Sequence, residues 1–434
     1  LKPEAQLTAA SPRPAPAANA YLYLGTLIAA YIGVYLCRKN FSVAIPILQS
    51  EWGASKEQLG LVGSVSTMAY VAGKLLFGPF TDRLGGRRSL LASMSLVALF
   101  GGLGAMAPSL GPLLVFYSLN RFTGAASWGA MVKLVPEWFG QRKLAFACGL
   151  LSLSFVFGGA LAVSLGGLVA YTTSDSVTAV LGVPSLVLLL LAVWGAVTLP
   201  RQALQPAGHQ SRVSVQKLGW REYVSLFAER QFAIVLALSF TLTMLRETFN
   251  LWTVDFIATE GGAGITNSMA AYVSTPFDLC GAVGIVLMGW QFDRLGRLGR
   301  RNLLALILLL LAGLLAVIPL FFGHGLGLLA LSVGLVGFLV YGPYSLLAGV
   351  LSVEVRGKEY AATVSGVVDG VGYLAGVVSG VVFGRLLSVG GYRLGFEVMA
   401  AVTLVSAALV CLLYPAKARQ SPESTAKPEL AATP

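Results

Sequence analysis

Charge is scarce in this sequence. Asp, Glu, Lys and Arg make up 11% of its 434 residues, against 56% hydrophobic, where a soluble domain carries about 25% charged residues. So few polar groups cannot coat a water-soluble surface of this size, which argues against a soluble globular protein. Histidine is nearly missing: His209 and His324 stand far apart in loop-like stretches, and two distant ligands do not make a metal site. The four cysteines, Cys37, Cys148, Cys280 and Cys411, fall in separate apolar segments with no Cys-x-x-Cys pair. They read as small core residues rather than a disulfide or redox framework. Strand-type alternation is missing, which argues against an outer-membrane barrel. No soluble domain or catalytic constellation stands out, so neither an enzyme nor a resident cofactor is expected.

Long apolar runs are abundant. Mean hydropathy is +0.77, and the apolar residues come in stretches of roughly 20, enough to cross a ~30 Å hydrocarbon core as helices. The pattern predicts an all-α membrane protein with about twelve spans, over 21–46, 58–80, 89–107, 112–138, 145–170, 179–199, 232–257, 268–292, 302–322, 326–352, 360–385 and 392–414. Residues 1–20, rich in Ala and Pro, read as a disordered tail rather than a signal peptide. The polar stretch 200–231 reads as a central linker ending in an interfacial amphipathic helix over Trp220–Gln231. It separates two six-helix halves, 21–199 and 232–414, and residues 415–434 form a second tail.

The net charge of +11 is distributed in short clusters between the apolar runs and forms no basic, aromatic-interleaved face for nucleic acid. Counting by side gives an orientation. Twenty-one Lys and Arg residues fall in the two tails and the connections after even-numbered spans, three (Lys56, Arg385 and Arg393) on the other side, and six inside the spans. The positive-inside rule then places both termini in the cytoplasm, as expected for a bacterial inner-membrane protein.

The halves repeat a motif. Span 2 runs into Gly78-Pro-Phe-Thr-Asp82-Arg83-Leu-Gly85-Gly-Arg87-Arg88, and span 8 into Gly289-Trp-Gln-Phe-Asp293-Arg294-Leu-Gly296-Arg297. Glycine permits close helix approach, the Asp can cap or pair at a neighbouring helix end, and the arginines anchor the loop in the cytoplasm. The paired motif resembles the cytoplasmic loop signature of the major facilitator superfamily, where it latches the two halves. That resemblance implies a gating role for Gly78, Asp82, Arg83, Arg87, Gly289, Asp293 and Arg294.

Ionisable residues at membrane depth cost roughly 2.5–3.5 kcal/mol each on the insertion scale and usually face a water-filled cavity. Here they are Arg38, Lys39, Lys74, Arg121, Lys133, Arg246, Glu247, Asp278 and Asp369, with Asp255 near a helix end. In span 1, Tyr31, Tyr35, Arg38 and Ser42 share one helical face; in span 7, Ser239, Thr243, Arg246, Asn250 and Thr253 do the same. Spans 1 and 7 open the two halves, so Arg38 and Arg246 are near pseudo-symmetry mates. Two guanidinium forks facing each other suit a tetrahedral oxyanion, and Lys74, sharing a face with Thr67 and Tyr70, adds a third cation. The alternative is plain pairing of these cations with Asp278, Glu247 and Asp369, and both can hold in turn. Arg121 and Lys133 are less informative; Lys133 is one turn from a helix end and can snorkel.

Tyr35-Leu-Cys-Arg38-Lys39-Asn40-Phe41-Ser42-Val-Ala-Ile-Pro46 resembles the organophosphate:phosphate antiporter family, the glycerol-phosphate and hexose-phosphate carriers. The resemblance extends to Lys74, to Trp128, Lys133 and Trp138-Phe139, to Arg246, to Asp278-Leu-Cys-Gly281, and to the stretches around Tyr341 and Tyr373. It implies an exchanger in which inorganic phosphate and an organic phosphate bind alternately between Arg38 and Arg246, with Lys39, Lys74, Tyr31, Tyr35, Asn250, Tyr341, Tyr373 and Ser154 around them. Ser154 stands where the family carries a histidine, a departure that points to a different organic anion or a different coupling ion.

Without ligand, the two arginines are expected to repel and hold the halves apart on one side, with a bound dianion drawing them together. Two other readings remain: a proton-coupled organic-anion symporter or exporter using Asp278, Glu247 and Asp369, and a sugar-phosphate membrane sensor. The expected partners are a small anionic substrate and the lipid bilayer, with no nucleic acid, and the expected state is a monomer.

Overall fold

A run of apolar residues in lipid has one economical solution, the α-helix, because every backbone N–H and C=O is then bonded internally. The computed structural model describes residues 17–139, 141–201, 229–347 and 361–413. Among them no strand occurs. The first half contains α1 (Ala17–Trp52), α2 (Lys56–Leu84), α3 (Gly86–Ala105), α4 (Leu110–Trp138), α5 (Gln141–Thr172) and α6 (Val177–Thr198). The second contains α7 (Arg230–Glu260), α8 (Asn267–Ser274), α9 (Pro276–Arg294), α10 (Arg297–Val317), α11 (Leu326–Leu346) and α12 (Ala361–Val410). The tail before residue 17, the linker 202–228 and the tail from 414 lie outside the described residues, and so does most of the expected interfacial helix.

Local sequence sets the helix ends. Ser55 and Gln58 form a reciprocal capping box at the start of α2, and the Ser176 and Thr266 side chains accept from backbone N–H groups at the starts of α6 and α8. The turn from α2 to α3 passes through Gly85 at φ 84°, a conformation that disfavours any side chain.

One segment differs from the sequence expectation. The single span over 268–292 is interrupted at Thr275–Pro276, where proline removes a backbone donor and crowds the preceding turn. The spans expected at 360–385 and 392–414 are present as two helical stretches within α12, parted at Gly391 (φ 64°, ψ −168°), where glycine alone turns the chain cheaply.

Nine helical segments among the described residues are long and apolar enough to cross a membrane. The helices α2 and α4, at 29 residues each, are also long enough, but one carries Lys74 and the other Arg121 and Lys133. The protein is an integral, multi-pass membrane protein. Its packing is that of a bilayer protein: in the most apolar window of α7, 72% of residues are buried, but in those of α6 and α10 only 39%. Leu186, Leu190, Val193 and Val197 of α6 are exposed and find lipid rather than water. The central positions belong to α1 and α7, the helices carrying Arg38 and Arg246.

The halves touch mainly along α2 against α12, α1 against α7, and α5 against α8 and α9. Where α2 crosses α12, a Cβ on Gly60 would lie 2.3 Å from the Gly380 carbonyl oxygen, so the backbones meet directly. Nearby, Ser64 Oγ donates to the Val377 carbonyl and accepts from Val381 N–H.

Candidate functional site

The face of α1 that carries Tyr35, Arg38 and Ser42 lines a cavity with an empty volume of ≈ 500 Å³, counting space open to solvent. Helix α2 contributes Ser66 and Thr67, α4 contributes Tyr117 and Arg121, α7 contributes Glu247 and Asn250, and α12 contributes Ser379. The cavity therefore lies between the halves. A second cavity of ≈ 300 Å³ lies against Tyr31, Tyr35, Arg38, Tyr70 and Arg121.

Arg38 and Arg246 converge on one atom. Arg38 Nη2 donates to Glu247 Oε1 at 3.4 Å, and Arg246 Nη2 donates to the same oxygen. Arg246 and Glu247 are both buried. A carboxylate thus lies between the two guanidiniums, the pairing with Glu247 that the sequence reading gave as the alternative to an open anion site. Arg246 does not line the larger cavity; it reaches Glu247 from the side of Tyr344, whose ring centre is 4.5 Å from its guanidinium carbon. Two buried polar atoms in this region, Arg246 Nε and Asn250 Oδ1, have no hydrogen-bond partner among the described residues. A buried donor and a buried acceptor left open cost about 1–3 kcal/mol each unless something else binds them.

A second ion pair joins the halves beside the first. Lys39 of α1 pairs with Asp278 of α9, and Tyr341 of α11 donates to the other carboxylate oxygen at 2.7 Å. Asp278 is 1% exposed, and α5 packs on it so tightly that a Cβ on Gly159 would come within 2.7 Å of Oδ2.

Aromatic rings organise the remaining cations. The Tyr70 ring has Arg38 at 4.9 Å, Arg121 at 5.0 Å and Lys74 at 5.6 Å from its centre, each within cation–π range. Tyr373 of α12 meets Tyr70 across the halves at 5.2 Å and takes Lys74 at 4.8 Å. Tyr31 packs between Tyr35 and Trp128.

The structure thus gathers Arg38, Lys39, Lys74, Tyr31, Tyr35, Arg246, Asn250, Tyr341 and Tyr373 around the interface, with Glu247 and Asp278 among them. Ser154 is different. Its hydroxyl donates to Leu151 in its own helix, and it lines neither cavity. Asp369 is half-buried and makes no ion pair among the described residues.

Sequence reasoning passed over Arg121. It lines both cavities and makes no ion pair among the described residues. The available signal was spacing: Tyr117, Arg121 and Trp128 fall at offsets of four and seven, on one face of α4. Tyr117 donates to the Arg38 carbonyl at 2.8 Å. Lys133, by contrast, reaches the Thr81 carbonyl at 3.3 Å, near the end of α2.

At the arginine-rich end, Arg87 donates to the Leu199 and Ala196 carbonyls at 3.0 and 2.6 Å. This places a cation on the C-terminus of α6, where the helix dipole favours it. Arg300 donates to the Phe292 carbonyl at 2.9 Å, Arg294 stacks on Trp290, and Arg83 is exposed. The side chains of Asp82 and Asp293, and the surroundings of Gly78, lie outside the described residues; the glycine at 289 has open space where a Cβ would be.

Two helical halves around a charged cavity form an architecture that comparison can name. The Major Facilitator Superfamily model matches residues 27–380. The chain belongs to that superfamily. It is a transporter by class, not an enzyme. Among characterised proteins it is similar to the glycerol-3-phosphate transporter of Bacillus subtilis (24% identity, covering 91% of this chain and 90% of the relative). It is also similar to the hexose-6-phosphate:phosphate antiporter of Escherichia coli strain K12 (25%, covering 80% and 78%) and a probable hexose phosphate transport protein of Chlamydia pneumoniae (24%, covering 88% of each). Among solved structures, this superfamily chain shares its fold with an inward-facing, unoccupied bacterial homologue of the lysosomal transporter Spinster. That match has a TM-score of 0.75 at 16% identity and covers 91% of this chain and 96% of the other. The nucleoside transporter NupG gives a TM-score of 0.72 at 14% identity, covering 90% of this chain and 98% of its own.

Proposed function

We propose that this protein is a secondary transporter that exchanges an organic phosphate for inorganic phosphate by alternating access, with the phosphoryl group held between Arg38 and Arg246. The observation that carries the reading is the convergence of those two guanidiniums, one from each half, on a single oxyanion. A phosphomonoester at neutral pH has about −1.5 to −2 charge and three oxygens to offer, so it can take the place that Glu247 occupies and add bonds to the open Arg246 Nε. Arg121 and Lys74 supply further positive charge. The similarity to glycerol-phosphate and hexose-phosphate carriers supports the substrate class.

Further parts of the reading are twelve spans in halves 21–199 and 232–414, both termini in the cytoplasm, a bacterial inner membrane and a monomeric carrier. The halves rock about the arginines. A ligand can drive that motion only through its greater affinity for the occluded state, which two cations on opposite halves provide. The proton-coupled alternative draws on Asp278, Glu247 and Asp369; the pairing of Glu247 and Asp278 with cations favours ion pairing over proton carriage for those two, and Asp369, with no ion pair among the described residues, is the carboxylate left to it.

The test is counterflow. In proteoliposomes loaded with phosphate, labelled phosphate should enter rapidly and entry should vanish in Arg246→Ala. Uptake that needs a pH gradient and no internal phosphate would contradict the reading.

A further inference from the structure

The carboxylate between the two arginines has a consequence for the transport cycle. Glu247 follows Arg246 on α7, so its bond to that arginine stays within one half. The bond from Arg38 at 3.4 Å is the one that crosses between halves, and it is the longer of the two. It links the same two cations that a substrate oxyanion would link.

A strict exchanger requires that the empty carrier be unable to reorient. The usual electrostatic reason is that two unneutralised cations meet when the halves close. Here that repulsion is reduced, because the chain brings its own anion to the meeting point of Arg38 and Arg246. The adjacent crossing, Lys39 on Asp278, is a one-to-one pair and carries no net charge. The halves therefore meet at this level through two internal ion pairs, both formed from the chain's own groups.

We propose, on the basis of the phosphate-carrier reading above, that Glu247 acts as a built-in counter-anion for Arg38 and Arg246. It lets the unloaded carrier complete its cycle, so the protein moves its phosphate-bearing substrate in net flux as well as by exchange. Substrate entry breaks the long Arg38–Glu247 bond first and leaves the carboxylate beside Arg246. Substrate release restores the bond. Glu247 is thus a coupling residue: its charge sets the ratio of net flux to exchange, and it competes with phosphate for the same guanidiniums.

The test uses the full-length protein in proteoliposomes, with potassium and valinomycin clamping the membrane potential so that net movement of an anion is not self-limiting. Labelled phosphate is loaded inside, and its exit is followed into medium with and without phosphate. The wild type should release label into phosphate-free medium at a substantial fraction of the exchange rate. In Glu247→Gln the ratio of net exit to exchange should fall about tenfold or more, as expected for a barrier raised in the empty carrier alone. Glu247→Asp, which keeps the charge, should restore most of the ratio. Phosphate should also protect Glu247→Gln against thermal unfolding at lower concentration than it protects the wild type, because the competing anion is gone. Exchange in the wild type without net exit would overturn this inference and leave the exchange reading intact, as would an unchanged ratio in Glu247→Gln. No phosphate movement of either kind would overturn both.

Discussion

Lys56 of α2 and Asp255 of α7 form a 2.8 Å ion pair between the two halves, at the arginine-poor end of the molecule. Asp255 is almost fully buried and also accepts hydrogen bonds from Gln49 of α1 and Tyr392 of α12. The Lys56 ammonium lies 4.4 Å from the Tyr392 ring centre. A further bond, Asn267 Nδ2 to Asp175 Oδ2 at 3.1 Å, joins the halves on the same side. We predict that these groups act as a latch between the halves at this end. In Asp255→Asn the latch weakens by about 1–2 kcal/mol, discounted because Lys56 still reaches water, which corresponds to a roughly five- to thirtyfold shift toward opening. A Ser379→Cys reporter in the cavity, with the native cysteines replaced by serine, should then react faster with a membrane-impermeant maleimide applied from that side. Equal labelling rates with and without Asp255→Asn would show that no such latch holds this end.

The Lys39–Asp278 pair is deeper. Removing one partner of a buried ion pair strands the other charge, at a cost of about 3–5 kcal/mol. Asp278→Asn should therefore lower the thermal unfolding temperature in detergent markedly. The double variant Lys39→Met/Asp278→Leu should recover most of the loss, since no charge is left stranded. A double variant less stable than Asp278→Asn would show that the pair contributes more than mutual neutralisation.

Arg121 faces both cavities and makes no ion pair among the described residues. Arg121→Ala should raise the phosphate concentration for half-maximal exchange about tenfold, equivalent to ~1.4 kcal/mol of lost binding. Lys133→Ala, one face away on the same helix and bonded to the Thr81 carbonyl, should leave that concentration unchanged. Equal effects of the two substitutions would mean that α4 contributes only a diffuse field.

Asn250 has an open acceptor at the cavity wall. An organic phosphate carries donors, such as hydroxyl groups, beyond the phosphoryl group. Asn250→Ala should weaken inhibition of phosphate exchange by sugar phosphates by about 0.5–1.5 kcal/mol, the net value of one hydrogen bond, with little change for inorganic phosphate itself. Equal losses for both ligands would place Asn250 at the phosphoryl end.

Much of this molecule was legible in the sequence because the bilayer imposes strong rules. Apolar runs located the helices, and the repeated Gly-x-x-x-Asp-Arg pattern exposed the two halves. The single faces of Tyr31, Tyr35 and Arg38 and of Arg246 and Asn250 pointed into one interface. Other features depended on three-dimensional neighbours. That Glu247 would rest on both arginines could not be read from its position, because adjacent helical residues point about 100° apart and only long side chains bring their charges together. Lys56 and Asp255 lie in different halves of the sequence, and their pairing exists only once α2 and α7 are packed. Ser154 was placed by analogy with a histidine, and its hydroxyl is satisfied within its own helix instead.

The exchange mechanism depends on a phosphoryl group sitting between Arg38 and Arg246 in place of Glu247. A structure of the protein with bound inorganic or organic phosphate tests this most directly. The expected result is a phosphorus atom between the two guanidiniums, within hydrogen-bonding reach of both, and a Glu247 carboxylate detached from Arg38. An anion bound elsewhere, with Glu247 still bridging both arginines, would contradict it.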